Sequence, residues 1–104
     1  MTRVVESPFF SAKDPAEVVT LTFDFVNLTD TPTSPDITVT RHAGTADASP
    51  SAILSGSATI SGTKTLQQVQ DGVDGTSYRM RCKVFAPDGS EYVLTGILPV
   101  KSQL

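Results

Sequence analysis

Residues 78–98, "YRMRCKVFAPDGSEYVLTGIL", alternate apolar and polar side chains on either side of one Pro-Asp-Gly turn, and the register of that turn decides which face lies inside. Pro87 fits the first central position of a type I turn, Asp88 the second, and Gly89 the left-handed bulge position that follows. The result is a three-residue loop closed by Ala86 and Ser90. Counting back from that pair sets Val84 opposite Tyr92, Cys82 opposite Leu94, Met80 opposite Gly96 and Tyr78 opposite Leu98, all on one face, which is the core face. A two-residue loop closed at Asp88-Gly89 would instead place Arg79, Arg81 and Lys83 beside Leu98, Gly96 and Leu94, and this mismatch rejects it. In the favoured register the outer face carries Arg79, Arg81 and Lys83 beside Ile97, Thr95 and Val93. These are basic stems laid over a β-branched row, a face that a partner protein could cover.

Upstream the same period of two recurs. In "EVVTLTFDFV" Val19, Leu21, Phe23 and Phe25 point one way and Thr20, Thr22 and Asp24 the other, a half-buried strand. "NLTDTPTSPD" reads as a polar connection, and "ITVTRH" resumes the alternation with Ile37 and Val39 on one face. After the loop "AGTADASPS", the segments "AILSGSATISG" and "KTLQQVQ" give weaker strand signals broken by Gly56 and Gly62. No helical stripe competes. About six to seven short strands separated by turn signals predict an all-β chain, an immunoglobulin-like antiparallel β-sandwich.

The stretch "DGVDGTSY", residues 71–78, has the look of either a ligand loop or a structural corner. In immunoglobulin-like sandwiches a Tyr near the start of the sixth strand bonds its hydroxyl back to backbone a few residues upstream. Tyr78 fits that role, with Gly72 and Gly75 supplying positive φ and Val73 capping the core beneath the corner.

The 104 residues are enough for one hydrophobic core, and the net charge of −3 and pI near 4.8 argue against nucleic-acid binding. The lone Cys82 forms no internal disulfide, and the first thirty residues carry no long apolar run, so a soluble, unexported chain made in a reducing cytosol is expected, with no membrane partner. Asp71, Asp74 and Asp88 lack the spacing and distal Glu of a calcium loop, so no metal is expected. His42 stands among Thr and Arg on a short strand and reads as a surface residue. Cys82 alternates with Met80 and Val84 and reads as a small buried hydrophobe. Asn27-Leu28-Thr29 matches a glycosylation triplet that an unexported chain never presents to the modifying enzymes. With no nucleophile elbow, no phosphate loop and no metal-ligand spacing, neither enzyme activity nor a cofactor is expected.

Taken together, "KDPAEV", the "FDF" that follows, "PDITVT", "GVDGTSY", the "PDG" hairpin and the terminal "GILPV" resemble the small fiber-tail adaptor proteins of tailed bacteriophages. The resemblance runs from Lys13 to Val100, with Lys13, Asp14 and Pro15 matching the motif ahead of the first strand and Asp24 and Phe25 the acid-aromatic pair within it. Where members carry a Trp, this chain has Phe25 or Val26. The resemblance implies a virion structural protein in the tail, assembled in the host cytoplasm, that joins fibres or neighbouring tail proteins, with no catalysis and no cofactor. Residues 13–104 are expected to form the sandwich and residues 1–12 an arm, whose Phe9 and Phe10 join Arg79, Arg81, Lys83, Val93 and Ile97 as candidate contacts in a multi-copy ring. The alternative is a binding module for a host-surface polysaccharide or protein, acting through loops such as "HAGTADASPS". That loop has no aromatic platform for a sugar ring.

Overall fold

The alternating segments pair into two antiparallel sheets in a computed structural model that describes residues 10, 12–25 and 31–102. Six strands follow in chain order: β1 Val19–Asp24, β2 Thr33–Gly44, β3 Leu54–Ser61, β4 Lys64–Val69, β5 Thr76–Phe85 and β6 Glu91–Val100, with a 3-10 turn at Pro50–Ile53. One sheet has the order β1-β4-β3 and the other β2-β5-β6. The expected all-β sandwich is present.

The β5–β6 register is the one the Pro-Asp-Gly turn dictates: Tyr78 faces Leu98, Met80 faces Gly96, Cys82 faces Leu94 and Val84 faces Tyr92. Ala86 N donates to Ser90 O at 2.8 Å and Gly89 N to Ala86 O at 2.9 Å, closing the three-residue loop. Strand β2 differs from expectation in length, because Thr33–Asp36 joins it rather than staying in the connection. It does so irregularly, with a register shift between Thr33 and Asp36 and Ser34 at φ 53°. As an edge strand it tolerates Pro35, whose missing N–H would break the ladder of a central strand.

The inward rows meet in one core. Leu21, Phe23 and Phe25 come from the β1 segment, Val69 from β4, and Tyr78, Met80, Cys82 and Val84 from β5, with Leu98 and Val100 of β6 closing it. Strand β4 points Thr65 and Gln67 inward as well. Gln67 is tolerated there because its Nε2 donates to the carbonyls of Ser55, Gly56 and Gln68, at 3.4, 3.2 and 2.8 Å. Thr65 Oγ1 is buried without a hydrogen bond among the described residues. The Cys82 thiol lies near enough to feel that hydroxyl, which works against the effect of burial on it.

Phe10 departs from the expectation that it belongs to an arm reaching a neighbour. Its ring packs edge-on against Phe23, with centroids 5.5 Å apart at 83°, and its N–H donates to Ile97 O at 2.9 Å. Lys13 N donates to Pro99 O and forms a parallel bridge with Val100, so the sandwich extends at least to Phe10 and the segment around Lys13 covers the free edge of β6. The closeness depends on Gly96, where a Cβ would stand 2.3 Å from Phe10 Cε2. Gly96→Ala should therefore cost about 1–3 kcal/mol in urea unfolding, the usual range for overpacking. Phe10→Ala removes the obstructing ring, so the double variant should lose clearly less than the sum of the two single losses. Full additivity would mean that the contact does not operate.

Candidate functional site

Two regions hold the residues singled out from the sequence. The first is the corner between β4 and β5, where backbone turns sharply over the end of the core. Gly72 at φ 100° and Gly75 at φ 87° supply the conformations that side-chain-bearing residues rarely adopt, and Asp71 adds φ 54°. Tyr78 is fully buried, and its hydroxyl accepts from Val73 N at 2.9 Å, five residues upstream. The same hydroxyl donates to Asp47 Oδ2 at 2.7 Å, a partner not visible in the sequence. Val73 is half-buried and lies outside the core cluster.

Other segments converge on this corner. Lys13 is only 2 % exposed, and its Nζ donates to Asp71 O at 2.5 Å and to Asp14 O at 2.9 Å, with a longer bond to Pro15 O. Burial pushes the Lys13 ammonium below the ordinary lysine range, with Asp71, Glu17 and Asp14 pulling the other way. Thr76 Oγ1 donates to Thr45 O at 2.8 Å, and Thr45 N to Gly75 O at 3.2 Å. Gly44 is required beside it, since a Cβ there would fall 2.0 Å from Gly75 O. Gly75 N donates to Val100 O and Ser102 N to Asp74 Oδ1, both at 2.8 Å. The Asp71 carbonyl, the Asp74 carboxylate and both backbone groups of Gly75 are thus engaged by hydrogen bonds within the chain. No group of three or more His, Cys, Asp or Glu side chains is placed to hold a metal ion among the described residues.

Asp47 is held below the usual carboxylate range, first by the Tyr78 hydroxyl and then by Ser49 N–H, against a smaller opposing effect of burial. The folded state therefore binds this proton less readily than the unfolded one. Its stabilisation is present above the ordinary carboxylate pKa of about 4 and is lost as pH falls through the lowered folded value. Tyr78 itself is raised, mainly by burial and then by Asp47. Tyr78→Phe strands Val73 N–H and should lower stability at pH 7 by on the order of 1 kcal/mol in urea unfolding. The same variant should show a shallower loss of stability below about pH 4 than the parent chain, because the bond that lowers Asp47 is gone. Identical unfolding curves would show that the hydroxyl contributes nothing.

The second region is the outer face of the β2-β5-β6 sheet. Arg79 lies between Thr40 and Ile97, Arg81 between Thr38 and Thr95, and Lys83 between Asp36 and Val93. The placement of β2 beside β5 was not legible in the sequence and brings Thr38, Thr40 and Asp36 onto this face. Arg79 and Arg81 are exposed and form no salt bridge among the described residues, whereas Lys83 reaches Glu91 Oε1 at 3.5 Å and lies 5.7 Å from the Phe85 ring centroid. Val93 is half-buried. Ile97 corrects the expectation for this face, being only 6 % exposed, so it has little surface to offer a partner. Phe10 is likewise committed to this chain's own core, and Phe9 lies outside the described residues.

The remaining candidates fall where their chemistry is quiet. Cys82 is buried and its thiol is pushed up to about 11, chiefly by burial. His42 is exposed at the irregular end of β2. Tyr92 is half-buried against the core. Asn27, Leu28 and Thr29 lie outside the described residues.

A disulfide-free sandwich with a self-bonded corner and a broad, charged sheet face has the character of a structural module that works by contact. Residues 13–99 match the family of the podophage GP4 fiber-tail adaptor protein gp77, and the chain belongs to that family. The family is one of phage fiber-tail adaptors, so the role is structural, in the virion tail, among other tail proteins. No curated protein and no solved structure matches the chain.

Proposed function

We propose that this chain is a non-catalytic adaptor that links the tail to fibres or neighbouring tail proteins, present in several copies per virion and assembled in the host cytoplasm. Family membership over residues 13–99 carries this reading. The fold supports it: the strand orders β1-β4-β3 and β2-β5-β6 correspond to the B-E-D and C-F-G strands of an immunoglobulin-like sandwich, with the residues around Lys13 lying parallel to the last strand. Such a frame presents a wide sheet face without needing a cleft for chemistry.

The contact proposed is the outer face of the β2-β5-β6 sheet, centred on Arg79 and Arg81. Exposed guanidinium groups above half-buried Val93 and Thr95 make a surface in which arginine stems supply apolar area and their heads supply charge. A partner with carboxylates in matching positions would satisfy those heads.

Gold-labelled antibody against the chain should mark the tail or its junction with the fibres on purified particles. Particles free of label, and free of the chain by mass spectrometry, would overturn the reading. Replacing both Arg79 and Arg81 with Glu breaks no ion pair among the described residues, so the isolated protein should fold with an unchanged melting midpoint. Incorporation into particles should fall at least tenfold, measured by quantitative immunoblot. Normal incorporation would move the contact off this face.

A further inference from the structure

The charges of the chain are sorted by surface. On the outer face of the β2-β5-β6 sheet Arg79 and Arg81 are exposed and alternate along β5, which sets them about 6–7 Å apart on one side of the strand. Their ladder neighbours are uncharged, Thr40 and Thr38 on β2 and Ile97 and Thr95 on β6. Farther along, Asp36 pairs with Lys83 in the ladder and Glu91 Oε1 lies 3.5 Å from its ammonium, so the positive surplus of the face lies with the two arginines.

The opposite sign collects at the β4–β5 corner. Glu17 Oε1 accepts from Asp14 N at 2.8 Å, which fixes an exposed carboxylate on the turn ahead of β1. Asp71 is exposed in the corner itself, and its carbonyl takes a proton of Lys13. Besides burial, Asp71, Glu17 and Asp14 all act on the Lys13 ammonium, so their carboxylates stand around one point. Asp74 joins them through Ser102 N, and Lys101 N donates to Lys13 O. Asp47 and Arg41 add one charge of each sign from the β2 side, Asp47 through Tyr78 and Arg41 through Gly44 O. Among the described residues, acids at this corner therefore outnumber bases, and the Lys13 charge is itself buried.

We infer that Arg79 and Arg81 of one copy dock on Glu17 and Asp71 of a second copy of this chain, a contact that rests on the multi-copy reading of the proposed function. The chain carries both halves of a complementary pair, and they lie on different surfaces. Face against face would set arginine on arginine, and corner against corner would set carboxylate on carboxylate, both repulsive. Face against corner brings unlike charges together. That geometry is heterologous, so a pair keeps one unused face and one unused corner to which further copies can add. Arginine suits the role, because its fork takes a carboxylate with two parallel bonds while its stem lies over half-buried Thr95.

Neutral variants of the full chain separate the two halves. Arg79→Gln with Arg81→Gln removes charge from the face, and Glu17→Gln with Asp71→Asn removes it from the corner. Glu17→Gln keeps an acceptor for Asp14 N, and Asp71→Asn keeps the carbonyl that holds Lys13 in a residue type that tolerates φ 54°. Both variants should retain the parent's circular dichroism spectrum. Where Asp71→Asn perturbs the fold, Glu17→Gln alone serves as the corner variant.

In sedimentation concentration series the parent should self-associate, and less so as salt rises from about 0.1 to about 1 M and the screening length falls from roughly 10 to 3 Å. Each variant alone should associate at least about tenfold more weakly. Mixed in equal amounts, the two variants should form a pair and nothing larger, because one intact face then meets one intact corner while the remaining face and corner are both neutral. A parent that stays monomeric, a folded variant that associates like the parent, or a mixture that forms no pair overturns the inference. If particles still carry tail label in that event, the adaptor reading stands and the arginine face is left to another tail protein.

Discussion

The Tyr78 hydroxyl is the point at which two segments at one end of the sandwich are tied together. It is buried, accepts from Val73 N and donates to Asp47 Oδ2, so it ties the β4–β5 corner to the loop that follows β2 with one atom. A buried hydroxyl left unbonded is costly, and this one is satisfied in both directions. The corner it fixes sets where β5 begins. Since β5 lies between β2 and β6, its start sets the register of the whole sheet that carries the proposed contact face.

Lys13 completes the same corner from the opposite side of the chain. Burying an ammonium is costly unless its protons are bonded, and here backbone carbonyls take them. The bond to Asp71 O joins the segment preceding β1 to the β4–β5 turn, while Phe10 packs over Gly96 a few residues earlier. The polar anchor and the aromatic anchor together hold this segment along β6. That placement covers the edge of β6.

Much of this was open to a reading of residues alone where forces are local. The Pro87-Asp88-Gly89 turn fixes its own loop length through φ preferences, and a period of two then assigns every side chain of β5 and β6 to a face. Tyr78 was legible because the Gly-rich corner has to be held by something, and a tyrosine at that offset has the reach. Asp47 was not, because a carboxylate thirty-one residues away carries no local mark of its partner. Ile97 and Phe10 read as contact residues by alternation and hydrophobicity, and the folded chain uses both itself.

The sequence by itself determined the strands, the hairpin register and the class of the fold, since backbone sterics and alternation act between near neighbours. It determined the family as well, through motifs spread along residues 13–99. Only the tertiary structure decided that β2 lies beside β5 and that Lys13 is buried. These depend on which segments meet after the chain has closed long loops, and the free energy of such meetings is shared among residues that no local pattern connects.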